Sequence, residues 1–176
     1  SIVLRVSAEG PLKTPLLLHQ ASYVEYEGVN WYARGGTFAE MPAASGGAWR
    51  LGEGEPGRFL SIQELAPGGD PVLSLPQGAV LVSGADLRSL KRNPLGAVQA
   101  AAPAGFVGYR IGFGAESSDR RAPTEMDLRL PRRERELIER VAKAWGLPRL
   151  EPATAAEVLR ARFAADFRYS TFQEMS

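Results

Sequence analysis

The sequence predicts a mainly β protein, an antiparallel β-sandwich of about eight strands followed by two C-terminal α-helices. Three observations predict it. Of the 19 glycines, 18 lie at or before position 125, and ten of the 13 prolines share that part, which describes short strands and frequent turns. Within it, stretches such as Arg58 to Ala66 and Gly105 to Phe113 alternate at the period of two that marks a half-buried strand. Towards the C-terminus the apolar spacing changes to that of a helix. Residues 1–117 are therefore expected to form the β-sandwich, 118–129 a linker and 130–176 a two-helix segment.

The first strand is expected over Ser1 to Ser7, where Ile2, Leu4 and Val6 alternate with Val3, Arg5 and Ser7, and Glu9-Gly10-Pro11 turns the chain. Leu16 to Tyr26 reads as a long β run leading into a hairpin. Its β-formers Tyr23, Val24, Tyr26, Val29, Trp31 and Tyr32 flank a tight turn at Glu27-Gly28. From Phe38 to Gly57 the composition is too rich in Gly, Ala and Ser to order cheaply, so a long loop is expected. Arg58 to Ala66 (RFLSIQELA) sets Phe59, Ser61 and Gln63 against Leu60, Ile62 and Glu64, and the cluster 67-PGGDP-71 ends it in a turn. Short strands follow at Val72 to Leu75, Ala79 to Ser83, Asp86 to Arg92 and Gly96 to Ala101. The last, Gly105 to Phe113 (GFVGYRIGF), sets Phe106, Gly108, Arg110 and Gly112 against Val107, Tyr109, Ile111 and Phe113.

Beyond the polar run Ala115 to Ala122, Leu137, Ile138, Val141 and Trp145 form a helical stripe with charged residues around it. Pro131 suits a first helical position, and Gly146 with Pro148 stops the run. A second helix is expected from Thr154, which has capping-box spacing to Glu157, with Val158, Leu159, Phe163 and Phe167 on its buried face. Arg168 to Phe172 then reads as extended.

Composition excludes several functions. The net charge of +1 suggests neither a nucleic-acid binder nor a polybasic membrane-surface protein. With no cysteine there is no disulfide, thiolate nucleophile or cysteine-based metal site in the chain. No apolar run approaches the roughly 20 residues that span a bilayer, and no charged-then-apolar leader opens the sequence. Ser1-Ile2-Val3 begins inside a strand-like run, as an excised piece would.

No residue set stands out as catalytic, cofactor-binding or metal-ligating. His19 is the only histidine, and alone it supplies neither a metal site nor a nucleophile's base. The glycines around Phe106 and Phe113 are not followed by a helix N-terminus and read as bulges or close strand contacts, not as a phosphate loop. The pairs Glu25 with Glu27 and Glu53 with Glu55 share a face at i, i+2, as a glycosidase or calcium site would need, but read first as solvated surface. Arg129, Arg132, Arg133 and Arg135 have acidic helix partners and form a solvated face. Trp31 reads as a core plug beside the turn, and as a binding platform second. If aromatic side chains do face a ligand or partner, the candidates are Trp31, Tyr32 and Trp49.

Four phrases together resemble the extracytoplasmic region of bacterial membrane proteins with a transglutaminase-like domain, in which a β-rich segment precedes a papain-like Cys-His-Asp core. They are Thr14 to Trp31 (TPLLLHQASYVEYEGVNW), Val72 to Gly84 (VLSLPQGAVLVSG) with Gly105 to Phe113, Thr124 to Trp145 (TEMDLRLPRRERELIERVAKAW) and Ala156 to Thr171 (AEVLRARFAADFRYST). The third resembles the leucine-proline lead into the core's first helix. The fourth resembles its second helix and the aromatic strand before the catalytic segment.

The resemblance implies a chain truncated before the nucleophilic cysteine, so no catalytic residue carries over. It implies no cofactor, an extracytoplasmic setting in a membrane-anchored parent, and the missing core of the same chain as partner, with no membrane or nucleic-acid contact by this segment. The expected role is a non-catalytic spacer of a cysteine enzyme that hydrolyses amides or transfers acyl groups. The alternatives are a carbohydrate- or protein-binding β-sandwich module and, more remotely, a glycosidase using Glu25 or Glu27.

Overall fold

A computed structural model describes residues 3–11, 15–27, 30–44, 46–114, 125 and 127–168. The chain divides into two compact units, Ser1–Leu128 and Arg129–Ser176. The described residues of the first carry 12 short strands and those of the second two helices. The mainly β character, the antiparallel pairing and the two C-terminal helices all agree with expectation. More strands are present than the eight expected, because the glycine-rich stretches hold short pairings of their own.

The first unit is built on a five-stranded antiparallel sheet. Its strands are β1 (Leu4–Ala8), β6 (Ala48–Arg50), β7 (Arg58–Ala66), β9 (Ala79–Ser83) and β12 (Gly105–Phe113), in the order β1-β7-β12-β9-β6. Strands β7 and β12 pair over their full length, with Ile62 opposite Tyr109 and Leu60 opposite Ile111. Because opposed residues share a face, Leu60, Ile62 and Ala66 of β7 lie beside Val107, Tyr109 and Ile111 of β12, and all six are buried. Alternation thus predicts the inward face of both long strands correctly.

Three strands form the second layer: β5 (Ala39–Met41), β10 (Ser89–Arg92) and β11 (Val98–Ala101), in the order β11-β10-β5. Met41, Leu90 and Ala100 stand in one row across it. Leu90, Val98 and Ala100 join Ile62, Val82, Val107 and Ile111 in a single apolar cluster, so the core lies between the two sheets, as in a sandwich. Two small pairs complete the unit: β2 (Leu18–His19) with β8 (Leu75–Pro76), and β3 (Glu25–Glu27) with β4 (Asn30–Tyr32).

Several expectations are corrected. The long run Leu16 to Tyr26 is broken between β2 and β3, because β2 finds only two partner residues on β8. The loop expected over Phe38 to Gly57 holds β5 and β6, drawn into order by their pairing with β10 and β9 and by side-chain ties. Arg50 donates to the Gly54 carbonyl at 2.8 Å and to Glu55 at 2.8 Å, and Arg92 donates to the Leu51 carbonyl. The expected turn at Gly28 lies outside the described residues. So do Ser1 and Ile2, most of the expected linker, and the extended stretch beyond Arg168.

In the second unit, α1 (Arg135–Ala144) begins one turn later than Pro131 suggested, and the Arg135 N–H donates to the Pro131 carbonyl at 2.9 Å. Gly146 ends the run at φ 72°, a left-handed conformation open to glycine at no steric cost, and a short 3-10 turn, Leu147–Arg149, follows. Helix α2 (Pro152–Asp166) starts at Pro152 and not at Thr154. The expected capping box is not formed: Glu151 is the N-cap and makes no side-chain cap bond, while Pro152 supplies the preset φ of a first helical residue. The predicted buried face of α2 is not buried, since neither helix has a buried residue. Among the described residues no helix is long and apolar enough to cross a membrane.

Candidate functional site

Glu64 is a polar residue that alternation places on the inward face of β7, and it is 6% exposed. Tyr109, on the inward face of β12, is 4% exposed and donates its hydroxyl to Glu64 Oε2 at 2.6 Å. The Ser74 backbone N–H donates to the same Oε2 at 3.1 Å and to the Tyr109 oxygen at 3.0 Å. Gln20 extends the network: its Nε2 donates to Ser74 Oγ at 3.0 Å and to the Val72 carbonyl at 3.3 Å. Gln20 follows β2 and Ser74 precedes β8, so these bonds tie the β2–β8 pair to the five-stranded sheet. Burial first, then the hydrogen bond and charge of Glu64, push proton release from Tyr109 well above the ordinary tyrosine range. The phenol is thereby fixed as a hydrogen-bond donor, which is a structural role. Among the described residues every buried side-chain nitrogen and oxygen has a partner.

The other groups singled out from the sequence are separate from this network and from one another. His19 Nε2 lies 2.9 Å from Ser22 Oγ on the surface. Glu25 and Glu27 do share a face of the β3–β4 ribbon, but Arg34 bridges them, its Nε 2.5 Å from Glu25 and its Nη2 3.0 Å from Glu27. The guanidinium also lies 5.5 Å from the centre of the Tyr32 ring. Glu55 is taken by Arg50, and its neighbour Glu53 makes no pair with it. On the outer face of the five-stranded sheet Arg110 grips Glu9 in a two-pronged pair at 3.0 Å each and covers the Phe59 ring at 3.7 Å. Among the described residues no group of three or more His, Asp or Glu could hold a metal ion.

The three candidate aromatics have different fates. Trp49 of β6 is opposite Val82 and only 4% exposed, so it is a core side chain and not a ligand contact. Trp31 is 61% exposed, which overturns its reading as a core plug. The physical reason is that the β3–β4 ribbon packs neither face into the sandwich core. Tyr32 is exposed on the face carrying Glu25 and Glu27. Trp31 stands directly opposite Tyr26 on the other face, with ring centres 5.1 Å apart and planes at 48°. The sequence signal for the buried network was Glu64 itself, a lone acidic side chain in phase with Leu60 and Ile62. Nothing in the pattern marked Arg34 as the bridge. No family model, curated protein or solved structure matches the chain.

Proposed function

We propose that this chain is a non-catalytic accessory region of a transglutaminase-like cysteine enzyme on the outer side of a bacterial membrane. In this reading the β-sandwich is a spacer and packing domain, and the helical unit packs onto the cysteine-bearing core. The observation that carries it is the unburied stripe of α1. Leu137, Ile138 and Val141 share one face of the helix, and all three are exposed. Because they are 54%, 38% and 37% exposed, covering what remains is worth roughly 2–4 kcal/mol, at about 1.5–3 kcal/mol for a fully exposed side chain, while a ten-residue helix has little stability of its own. Phe163 and Phe167 of the second helical segment are exposed as well, with ring centres 4.8 Å apart.

Two further observations support the reading. The stripe falls within the phrase TEMDLRLPRRERELIERVAKAW, which resembles the lead into the first helix of a transglutaminase-like core. Groups elsewhere that could do chemistry are engaged: His19 with Ser22, Glu25 and Glu27 with Arg34, and Glu64 with Tyr109. The test has two readouts. Residues 1–176 are expected to turn over no peptide amide or γ-glutamyl substrate, and α1 amides are expected to gain hydrogen-exchange protection in a polypeptide that also carries the cysteine core. Turnover by the chain alone, or α1 exchange indifferent to the core, overturns the proposal.

A further inference from the structure

We propose that the β3–β4 ribbon carries a carbohydrate-binding platform, with Trp31 as the stacking residue and Tyr26 as its support. Trp31 is the most exposed of the aromatic side chains described, and its ring is held by the Tyr26 ring across the strand pair. An isolated two-stranded ribbon is marginal in water, but this one is braced. On the reverse face Arg34 ties Glu25 and Glu27 together. The pairing runs on past β3, where the Val24 N–H donates to the Tyr32 carbonyl at 3.0 Å. At the base Gly36 closes a turn on Ala33 and sits against Asn93, beside β10. A Cβ there would lie 2.7 Å from the Ala33 carbonyl and 3.2 Å from Asn93 Nδ2, so only glycine permits the approach. The ring pair is therefore presented before any ligand arrives, which lowers the ordering cost of binding.

Area and charge identify the occupant. Trp31, 61% exposed, and the half-buried Tyr26, each an aromatic of about 150–250 Å², together offer on the order of 200 Å². A specific protein partner needs about 800 Å² on each side, so the platform fits one or two sugar rings. The ribbon's charges pair with each other on the opposite face, leaving the ring face neutral. A stacked nucleobase would bring a phosphate, and the ribbon's guanidinium, Arg34, is already engaged by Glu25 and Glu27. The apolar C–H face of a pyranose with equatorial substituents, as in a β-1,4-linked glycan, matches the neutral flat face of the Trp31 indole, with the tilted Tyr26 ring behind it. The site stands independently of the accessory role.

The experiment uses the Trp145→Phe background, which leaves Trp31 and the buried Trp49 as the tryptophans, with acrylamide quenching as readout. Cellohexaose and chitohexaose are expected to shield Trp31, and maltohexaose, whose α-linkages bend the chain, to shield it less. Trp31→Ala, followed by retention in affinity electrophoresis, is expected to weaken binding about tenfold, the loss for one anchoring aromatic, with an unchanged melting temperature. Trp31→Phe is expected to retain part of the binding. No shielding by either β-linked hexamer, equal shielding by maltohexaose, or undiminished binding by Trp31→Ala overturns the proposal. Shielding that grows with protein concentration without glycan assigns the rings to a second copy of the chain and overturns it too.

Discussion

Replacing Tyr109 by Phe removes one oxygen from the interior and tests whether the Glu64 network holds the first unit together. In the native protein Glu64 Oε2 receives the Tyr109 hydroxyl at 2.6 Å and the Ser74 N–H at 3.1 Å. The variant leaves the second donor only, at a position where solvent barely reaches either side chain. Loss of one partner from a buried polar group costs about 1–3 kcal/mol. The cost has a definite pH dependence. Folding raises the point at which Tyr109 loses its proton, whereas the unfolded chain releases it near the ordinary value of about 10. The folded state therefore binds the extra proton above that pH. Stability from this group is intact below about pH 10 and is lost as pH rises, by about 1.4 kcal/mol per pH unit. The Phe variant has no such linkage, so the gap between the two proteins is expected to be about 1–3 kcal/mol at pH 7 and to narrow between pH 10 and 11. Urea unfolding followed by far-ultraviolet circular dichroism at pH 7, 9, 10 and 11 measures it. A variant within about 0.5 kcal/mol of wild type at pH 7, or a gap that does not narrow, refutes the reasoning.

Two further substitutions probe the packing. Leu90→Ala opens a cavity between the two sheets, where Leu90 is fully buried in a row with Met41 and Ala100, and is expected to cost about 2–5 kcal/mol in urea unfolding. Gly112→Ala places a methyl 2.7 Å from Pro56 Cβ and 3.0 Å from the Phe59 ring, so an overpacking cost of about 1–3 kcal/mol is expected, visible as a lowered melting temperature.

The parts legible in the sequence were those that one buried face determines. Strands β7, β9 and β12 fall where the residue pattern puts them, because each alternates between the core and the outside over at least five residues. Strands β5 and β6 have three residues each, too few for a period, and owe their order to distant partners. The same dependence on partners explains Trp31: the register that sets it beside Tyr26, and whether anything covers that face, are not local properties of the stretch. At α2 the local signals competed, and Pro152 at the first helical position prevailed over the spacing of Thr154 and Glu157. Of the polar groups, Glu64 was visible as an acid in phase with the core residues. Its partner Tyr109 could be found only through the register that sets β12 beside β7.

Residue-resolved hydrogen exchange on the chain tests the central claim most directly, that a self-sufficient β unit is followed by helices whose apolar faces need further surface. Amides of β7 and β12 are expected to exchange only through global unfolding, at an opening free energy of about 5 kcal/mol or more. Those of α1 are expected to open at no more than about 1–2 kcal/mol, as for a short helix without burial. Equal protection of α1 and the central strands would contradict the account, because the exposed stripe would then already be stably packed.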